Sequence, residues 1–183
     1  ALRQICAQPE RHAPAIYSMD QGNMAIYDRF PKARVHMVIL PREYLPGIGR
    51  LTAQDLPIVH SLIRYGDQTA KQLVGDGVLA PDDFMIGFHA IPSLDHLHMH
   101  LISRDLESSF IKNKKHWNSF TTSFFLSPEF VLDRLRNDGN LKLDHVYYEG
   151  LLKAPLSCHK CHEVQRNLPA LKAHIVICKR RSS

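Results

Sequence analysis

The chain has 183 residues, of which 44% are hydrophobic, enough to bury one mid-sized core with a small appendage. No run approaches the ~20 apolar residues that a membrane-spanning helix needs, and no signal-peptide pattern opens the chain, so we expect no membrane partner. The net charge of +5 favours a polyanionic partner. Because the chain does not begin with methionine, we expect a fragment, and an upstream domain is compatible with it.

Short strand patterns and one long helix pattern fill the first part of the chain. Leu2 to Gln8 predicts a short helix that Pro9 ends. An apolar stripe at helical spacing predicts a long helix from about Thr52 to Val74. Five strands are expected, at residues 15–19, 24–28, 35–40, 83–89 and 96–102. The sequence therefore predicts an α+β fold with a five-stranded, mainly antiparallel sheet and packing helices.

Three histidines alternate with apolar residues in the last of these strands. Successive side chains of a strand point to opposite faces, so His96, His98 and His100 share one face while the apolar residues between them enter a core. Three roles are open to such a face. The imidazoles bind a metal, one of them attacks phosphorus while its neighbours orient it, or they are structural.

The residues before the triad favour catalysis. His89 adds a fourth imidazole from the preceding strand, seven residues upstream of His96. Pro92 and Ser93 form a turn that can place a hydroxyl and backbone N–H groups near an anion. Together they favour chemistry at a phosphate over metal binding and over a structural role for the triad.

The segment between the second and third strands offers candidates for nucleotide binding. Asp28 ends a strand, where a carboxylate can accept hydrogen bonds from ribose hydroxyls or can cap a turn. Lys32 and Arg34 either meet phosphate or are solvated charges of a turn. His36 lies on the third strand, where a lone histidine is more often structural.

A basic and aromatic segment follows the triad. Lys112, Lys114 and Lys115 run into Trp117, and cations beside a ring that can stack on a base are typical of nucleic-acid binding. The alternative is a core tryptophan beside a solvated run of charges. Further on, Ser127 and Pro128 begin a helix, and residues 141–148 predict a short hairpin.

The C-terminal part has the ligand spacing of a zinc finger. Cys-x2-Cys-x12-His-x3-Cys predicts a small ββα zinc finger with a structural Zn²⁺ on Cys158, Cys161, His174 and Cys178. No ligand position is left open, so we expect no catalytic metal. Three clustered cysteines with Cys6 apart do not suggest disulfides, which favours a reducing compartment.

The finger also carries basic residues that are candidate phosphate contacts, namely Arg166, Lys172, Lys179 and Arg180. A single finger makes few base contacts, so recognition of the backbone or of an end is favoured over reading a sequence. We divide the chain into a catalytic domain with an N-terminal helix, residues 1–126, and a C-terminal helix with the zinc finger, residues 127–183.

The pattern His-φ-His-φ-His-φ-φ resembles the signature of the histidine-triad nucleotide hydrolases and transferases, where φ is apolar. Triad, basic-tryptophan segment and finger in this order resemble the branch of DNA-adenylate hydrolases. The resemblance runs from about Ala25 to Cys178 and implies a histidine-triad fold. It matches His98 to the histidine that is transiently nucleotidylated, Asp28 to a ribose contact and His36 to a histidine that supports the triad. It also implies that the N-terminal helix lies near a DNA end.

This resemblance implies a DNA repair enzyme. Its partner is DNA with an adenylated 5′ end at nicks or breaks, AMP is the product and the location is nuclear. His98 attacks the α-phosphorus of AMP and His89 is the general acid, while the nucleophile is oriented and the oxygens bound by His96, His100 and Ser93. That branch often has histidine as the fourth zinc ligand, and Cys178 departs from this. Members with a fused finger need not dimerise, so a monomer is compatible.

Two other functions stay open. A small-molecule nucleoside phosphoramidase or dinucleoside polyphosphate hydrolase would use the same histidines but would leave the segment 112–117 and the finger without a role. A non-enzymatic zinc-finger module that binds nucleic acid would make the histidines structural.

Overall fold

A six-stranded antiparallel sheet is the centre of this computed structural model, which describes residues 2–178. Its strands run in the spatial order β1-β2-β3-β5-β4-β6. They are β1 Ile16–Met19, β2 Asn23–Tyr27, β3 His36–Pro41, β4 Phe84–His89, β5 Met99–Ser103 and β6 Phe125–Leu126. The predicted α+β fold with a mainly antiparallel sheet is confirmed, and the sheet has six strands where five were predicted. The sixth strand has only two residues, which pair with Phe88 and His89 and carry no pattern of their own.

Residues 2–178 form six α-helices, the last of which lies in the finger. They are α1 Leu2–Ala7, α2 Leu56–Gly75, α3 Lys114–Thr121, α4 Pro128–Asn137, α5 His145–Lys153 and α6 Leu168–Ile177. Thr52 and Asp55 form a capping box just before α2, which confirms the predicted start of this helix. No helix in the described ranges is both long and apolar enough to cross a bilayer.

Helix α2 packs directly on the sheet. Its buried face, which includes Val59, Leu62 and Leu73, shares one core with residues of β3 and β5. At Gly66 an added Cβ would lie 2.4 Å from Met99 Cε, so a larger residue there would have to displace the end of the Met99 side chain. This packing holds the strand that carries His100 from behind.

The region after residue 126 does not separate cleanly from the sheet. Val131, Leu135 and Tyr148, from α4 and α5, pack in the same core as α2. The predicted domain boundary between residues 126 and 127 stays a prediction. The packing shows that α4 and α5 share the core of the sheet. The predicted hairpin at residues 141–148 is wrong, because Asp144 accepts a hydrogen bond from Tyr147 N and begins α5.

The finger has the predicted ββα order. Strands β7 Leu156–Ser157 and β8 Val164–Gln165 pair antiparallel and precede α6. Its interior is continuous with that of the N-terminal part, because Trp117 and Ile102 pack in one cluster with Leu156 and Leu171. The finger and the sheet thus share a second core.

Candidate active site

The three triad histidines lie in the segment that leads into β5 and at the start of that strand. Only His100 belongs to the strand itself, whereas His96 forms an isolated bridge to Pro46 and His98 lies in the segment between them. All three are buried, with exposed fractions of 3%, 8% and 6% in chain order. The apolar residues between and after them, Leu97, Met99 and Leu101, pack in the main core as the alternation predicts, although the regular strand is shorter than expected.

A backbone carbonyl two residues earlier in the chain orients the His98 ring. Its Nδ1 lies 2.7 Å from the carbonyl oxygen of His96. A carbonyl can only accept, so Nδ1 carries the proton and Nε2 carries the lone pair of the neutral ring. Burial lowers the pKa of His98 below its usual 6.5, and the bond to the His96 carbonyl opposes this only partly. Nε2 has no hydrogen-bond partner among the described residues and is a competent nucleophile.

A directed hydrogen-bond chain runs to His100 from the opposite side. Lys32 N donates to His36 Nδ1 at 3.0 Å, so the neutral His36 ring carries its proton on Nε2. His36 Nε2 lies 2.9 Å from His100 Nδ1 and therefore donates to it. This leaves the proton of His100 on Nε2, which is buried without a partner within residues 2–178. The chain thus aims an N–H donor into the site.

The cluster of imidazoles is neutral at pH 7. Burial lowers the pKa of His36 to about 4, against an opposing effect of Asp28. Burial also lowers the pKa of His100 well below 6.5, and the neighbouring His89, His36 and His98 act in the same direction. Buried rings that repel each other's charge do not protonate easily. They are therefore poised to donate and accept hydrogen bonds around an anion.

His89 lies against His100 inside an aromatic shell. The two ring centroids are 4.4 Å apart, and the rings of Phe120, Phe124 and Phe125 lie 4.6, 5.5 and 5.9 Å from that of His89. Burial lowers the pKa of His89 to about 3, and the charges of His98, His36 and Lys32 lower it further. The free site therefore holds a neutral His89, which does not favour it as a proton donor before an anion is bound.

His96 is fixed by a residue that sequence reasoning missed. Its Nε2 donates to Pro41 O at 2.8 Å, and its ring stacks on Tyr44 with centroids 5.6 Å apart and planes inclined by 16°. The guanidinium of Arg3, on α1, lies 4.2 Å from the Tyr44 centroid. Cys6 Sγ, also on α1, is 3.9 Å from His96 Nε2. Helix α1 thus reaches the triad, and no local pattern around Tyr44 signals its role.

Asp28 and Lys32 face the same group of rings. Asp28 Oδ2 lies 3.8 Å from His36 Nε2, while its Oδ1 accepts a hydrogen bond from Phe30 N. Lys32 Nζ donates to the carbonyl oxygen of Phe30. Beside burial, the charge of Lys32 contributes to the lowered pKa values of His36, His89 and His100. Ser93 lies in an exposed turn and has no hydrogen bond within the described part of the chain.

The residues predicted to bind DNA differ in their exposure and contacts. Lys112, Lys114, Lys115 and Arg166 are exposed, as a phosphate contact requires. Trp117 is fully buried and its Nε1 donates to Ser157 O at 2.9 Å, so the prediction that its ring stacks on a base is wrong. The chain places this ring in the core shared with the finger. Lys172 Nζ donates to Ser108 O at 2.9 Å and ties α6 to the loop after β5. Lys179 and Arg180 lie outside the described residues.

The four predicted zinc ligands come together. Their ligand atoms all lie within 4.8 Å of one another, with 3.8 Å between Cys158 Sγ and Cys178 Sγ and 3.2 Å between Cys161 Sγ and His174 Nε2. Tetrahedral coordination with Zn–S bonds of about 2.3 Å needs sulfur atoms about 3.8 Å apart. The donor set therefore fits zinc with Cys178 in the fourth position. Asp28, His36 and His100 are equally close, but His36 and His100 are hydrogen-bonded to each other.

A cavity of about 910 Å³ opens between the finger and the loops at residues 80–83 and 104–107. Four carboxylates contribute to its wall, namely Asp82, Asp83, Asp105 and Glu107. None of the triad histidines lines it. Arg104 and Lys160 also line it, and because its lining contains no imidazole of the triad, the cavity is separate from the candidate active site.

Comparison with known proteins agrees with this geometry. Residues 1–116 match the family model described as scavenger mRNA decapping enzyme C-term binding, and residues 121–180 match a C2HE / C2H2 / C2HC zinc-binding finger. The chain therefore belongs to the former family, whose histidine-triad type of fold the sheet and the buried imidazoles display.

Several curated proteins similar to this chain are aprataxins, which confirms the resemblance carried by the triad, the basic segment and the finger. Aprataxin of Danio rerio is 38% identical over 156 residues, covering 85% of this chain and 47% of that protein. Aprataxin of Ciona intestinalis is 36% identical over 162 residues, covering 88% of this chain and 42% of that protein. The chain thus spans slightly less than half the length of these relatives.

Solved structures agree with the fold. The crystal structure of the aprataxin ortholog Hnt3 in complex with DNA has a TM-score of 0.75 and 26% identity, covering 96% of this chain and 91% of that chain. The aprataxin ortholog Hnt3 from Schizosaccharomyces pombe has a TM-score of 0.79 and 24% identity, covering 96% and 89%.

Proposed function

We propose that this chain is a DNA repair hydrolase that removes AMP from 5′-adenylated DNA ends through a covalent AMP–His98 intermediate and restores the 5′-phosphate. The observation that carries the proposal is the anchored His98 ring, whose Nδ1 is bound to the His96 carbonyl and whose Nε2 is left with a lone pair. The likeness to aprataxins and to a DNA-bound relative supports DNA as the substrate.

The reaction has two displacements at the same phosphorus. His98 Nε2 attacks the α-phosphorus of the AMP cap and forms a P–N bond, while the P–O bond to the DNA 5′-phosphate breaks. DNA leaves with its ordinary 5′-phosphate. Water then attacks the phosphorus and forms a P–O bond, the P–N bond breaks and AMP departs. The neutral imidazole is restored when the proton of the attacking water is lost to solvent.

The surrounding groups supply donors for the charge that spreads over the phosphoryl oxygens. His100 Nε2–H is buried, directed by His36 and available for a non-bridging oxygen. The turn at Ser93 is proposed to contribute a hydroxyl or a backbone N–H. His89 becomes a general acid in this scheme only when the bound pyrophosphate raises its pKa, since anions stabilise the protonated ring. His96 orients His98 through its carbonyl oxygen.

The nucleotide and the DNA are held by groups at the rim. Asp28 is proposed to accept hydrogen bonds from the ribose hydroxyls and Lys32 to contact phosphate. Three exposed cations and one on the finger are proposed to hold the DNA backbone, namely Lys112, Lys114, Lys115 and Arg166. Zinc on the Cys3His site would stabilise the finger and supply no chemistry to the reaction. A nuclear location and a monomeric state are further parts of this proposal, tested by a fluorescent fusion and by light scattering.

The test is release of AMP from a nicked duplex that carries an adenylated 5′ end. The wild-type chain should release AMP and should gain the mass of an adenylyl group on the peptide that contains His98. His98→Ala should do neither, whereas His60→Ala, which changes an exposed histidine on α2, should do both. Full turnover by His98→Ala would refute its role as nucleophile.

The same assay separates the rival functions. Faster turnover of AMP-lysine or of a diadenosine polyphosphate than of adenylated DNA would indicate a small-molecule hydrolase. The absence of any adenylated peptide together with tight DNA binding would indicate a non-enzymatic binding module.

A further inference from the structure

The loop that follows β3 contacts the triad segment at three consecutive residues. The ring of Tyr44 stacks on that of His96, and its hydroxyl donates a hydrogen bond to a carboxylate oxygen of Asp95. The next residue of the loop, Leu45, accepts a hydrogen bond at its carbonyl oxygen from Leu97 N at 2.8 Å. Two neighbouring residues of one loop therefore hold the backbone on both sides of His96.

The peptide group that joins His96 to Leu97 is hydrogen-bonded at both ends. Its N–H donates to Leu45 O, and its carbonyl oxygen accepts from His98 Nδ1 at 2.7 Å. Because a peptide group is planar, the direction of its carbonyl is fixed together with that of its N–H. Hydrogen bonds in a row also polarise one another, which makes this carbonyl a better acceptor. The orientation of the His98 ring thus depends on how the loop holds one peptide group.

The side chain of His96 is fixed by a bond and a stack. It is 3% exposed, its Nε2 donates to Pro41 O at 2.8 Å, and its plane is inclined by 16° to that of Tyr44. A single hydrogen bond leaves a ring free to tilt about the line from donor to acceptor, and a stacked neighbour removes that freedom. Since the ring and the carbonyl belong to the same residue, the stack also limits how far the carbonyl can turn.

Tyr44 is itself held by charged groups. The guanidinium of Arg3 lies 4.2 Å from its ring centroid, and the carboxylate of Asp95, which accepts from its hydroxyl, lies 3.7 Å from Arg50 Nη2. Within the described part of the chain, the triad ring that contacts Tyr44 is that of His96. Tyr44 is therefore arranged before any ligand arrives, and it reaches the nucleophile only through His96.

We propose that Tyr44 is a positioning residue for the nucleophile. Its ring, stacked on His96, keeps the His96 carbonyl in the direction that holds the proton of His98 on Nδ1 and leaves the lone pair on Nε2. This inference rests on the proposed function for the identity of His98 as the nucleophile. The ring is the acting part, because the hydroxyl bonds an exposed carboxylate, and an exposed hydrogen bond contributes little.

Two variants separate the ring of Tyr44 from its hydroxyl. Tyr44→Phe keeps the stack and loses the bond to Asp95, whereas Tyr44→Leu loses both. Tyr147→Leu changes an exposed tyrosine on α5 and serves as the matched control.

Two measurements are made on each full-length variant. The first needs no substrate: long-range proton–nitrogen correlation spectra with isotope-labelled histidine report which nitrogen of His98 carries the proton, and His98→Ala identifies the signals of this ring. The second is the rate of AMP transfer from adenylated nicked DNA to His98 in a single turnover, together with KM from steady-state turnover.

We expect the wild type, Tyr44→Phe and Tyr147→Leu to hold the proton of His98 on Nδ1, and Tyr44→Leu to show a mixture of the two tautomers. Transfer of AMP should slow about ten-fold in Tyr44→Leu alone, with KM within about two-fold of the wild type, because geometry is lost and binding is kept.

An unchanged His98 tautomer in Tyr44→Leu would overturn the proposal, whatever the activity of that variant. An equal loss in Tyr44→Phe would overturn the assignment to the ring, and a raised KM with an unchanged rate of transfer would make Tyr44 a substrate contact instead. If the wild type releases no AMP from adenylated DNA, the proposed function is contradicted, while the tautomer of His98 in the free chain still decides the role of Tyr44.

Discussion

The Nε2–H of His36 donates to Nδ1 of His100 across 2.9 Å, and both rings are buried. This bond crosses between β3 and β5, which are paired antiparallel with Val38 opposite His100. Because the other nitrogen of His36 accepts from Lys32 N, the direction of the bond is fixed. The free nitrogen of His100 must then be a donor, which is what a phosphate oxygen requires.

His36→Phe should keep the packing of the two rings and remove the hydrogen bond that fixes which nitrogen of His100 carries the proton. The His100 ring could then carry its proton on either nitrogen, and the donor facing the phosphate would be lost part of the time. We expect kcat on adenylated nicked DNA to fall by about 10- to 100-fold with little change in KM, as for the loss of one buried hydrogen bond that acts in the transition state. A variant with normal kcat would show that the His36–His100 bond does not serve catalysis.

Acidification should destabilise the fold through the buried histidines. In the folded state the pKa of His89 is about 3 and that of His36 about 4, against about 6.5 in the unfolded chain. Between the folded and unfolded pKa values the unfolded chain binds more protons than the folded one. The free energy of unfolding is therefore at its full value above about pH 6.5 and declines as the pH falls toward 4. Urea unfolding at pH 7.0 and pH 5.5 measures this decline.

His89→Phe is the matched variant for that experiment, because a phenyl ring suits the aromatic shell and does not titrate. Its free energy of unfolding should fall less steeply between pH 7.0 and 5.5 than that of the wild type. Equal slopes in the two proteins would mean that His89 is not held neutral by its surroundings.

Trp117→Phe should act on stability and leave contact with DNA intact. The smaller ring leaves a cavity in a fully buried site and deprives Ser157 O of its donor. Together these changes should cost about 2–4 kcal/mol in the free energy of unfolding. Binding of a 5′-phosphorylated nicked duplex by the folded fraction should be unchanged. A large loss of affinity without loss of stability would instead return Trp117 to the DNA interface.

Removal of zinc should lower the stability of the whole chain and not only that of the finger. Cys158 and Leu171 pack in the same cluster as Trp117, so a chelator or Cys161→Ser should lower the melting temperature of the whole chain and not only melt the finger. Elemental analysis should give about one zinc per wild-type chain and a markedly lower value for Cys161→Ser. Zinc retention by that variant would exclude Cys161 as a ligand.

The periodic parts of the fold were predictable from the sequence. The alternation at residues 96–101 placed the triad on one face, and the stripe along α2 gave its length to within a few residues. The spacing of Cys158, Cys161, His174 and Cys178 gave the finger, because a metal site needs its ligands at fixed separations whatever lies between them. These signals depend on local geometry, which a single chain records directly.

Contacts made between distant segments were not predictable. Tyr44 stacks on His96 from 52 residues away, and nothing in its own neighbourhood distinguishes it from a loop tyrosine. The lysines before Trp117 favoured a role of its ring in DNA binding, but tertiary packing turned the Trp117 side of α3 inward and left the lysines exposed. Residues 141–148 alternate like a strand, yet the cap provided by Asp144 and the burial of Tyr148 made them a helix start.

Helix α3 lies between the imidazole cluster and the interior of the zinc finger. Phe120 touches the rings of His36, His89 and His100, while Trp117, one turn earlier, closes the interior of the finger. We expect loss of zinc to disturb the contacts of Phe120 with the three imidazoles by way of this single short helix, although no zinc ligand belongs to the imidazole cluster.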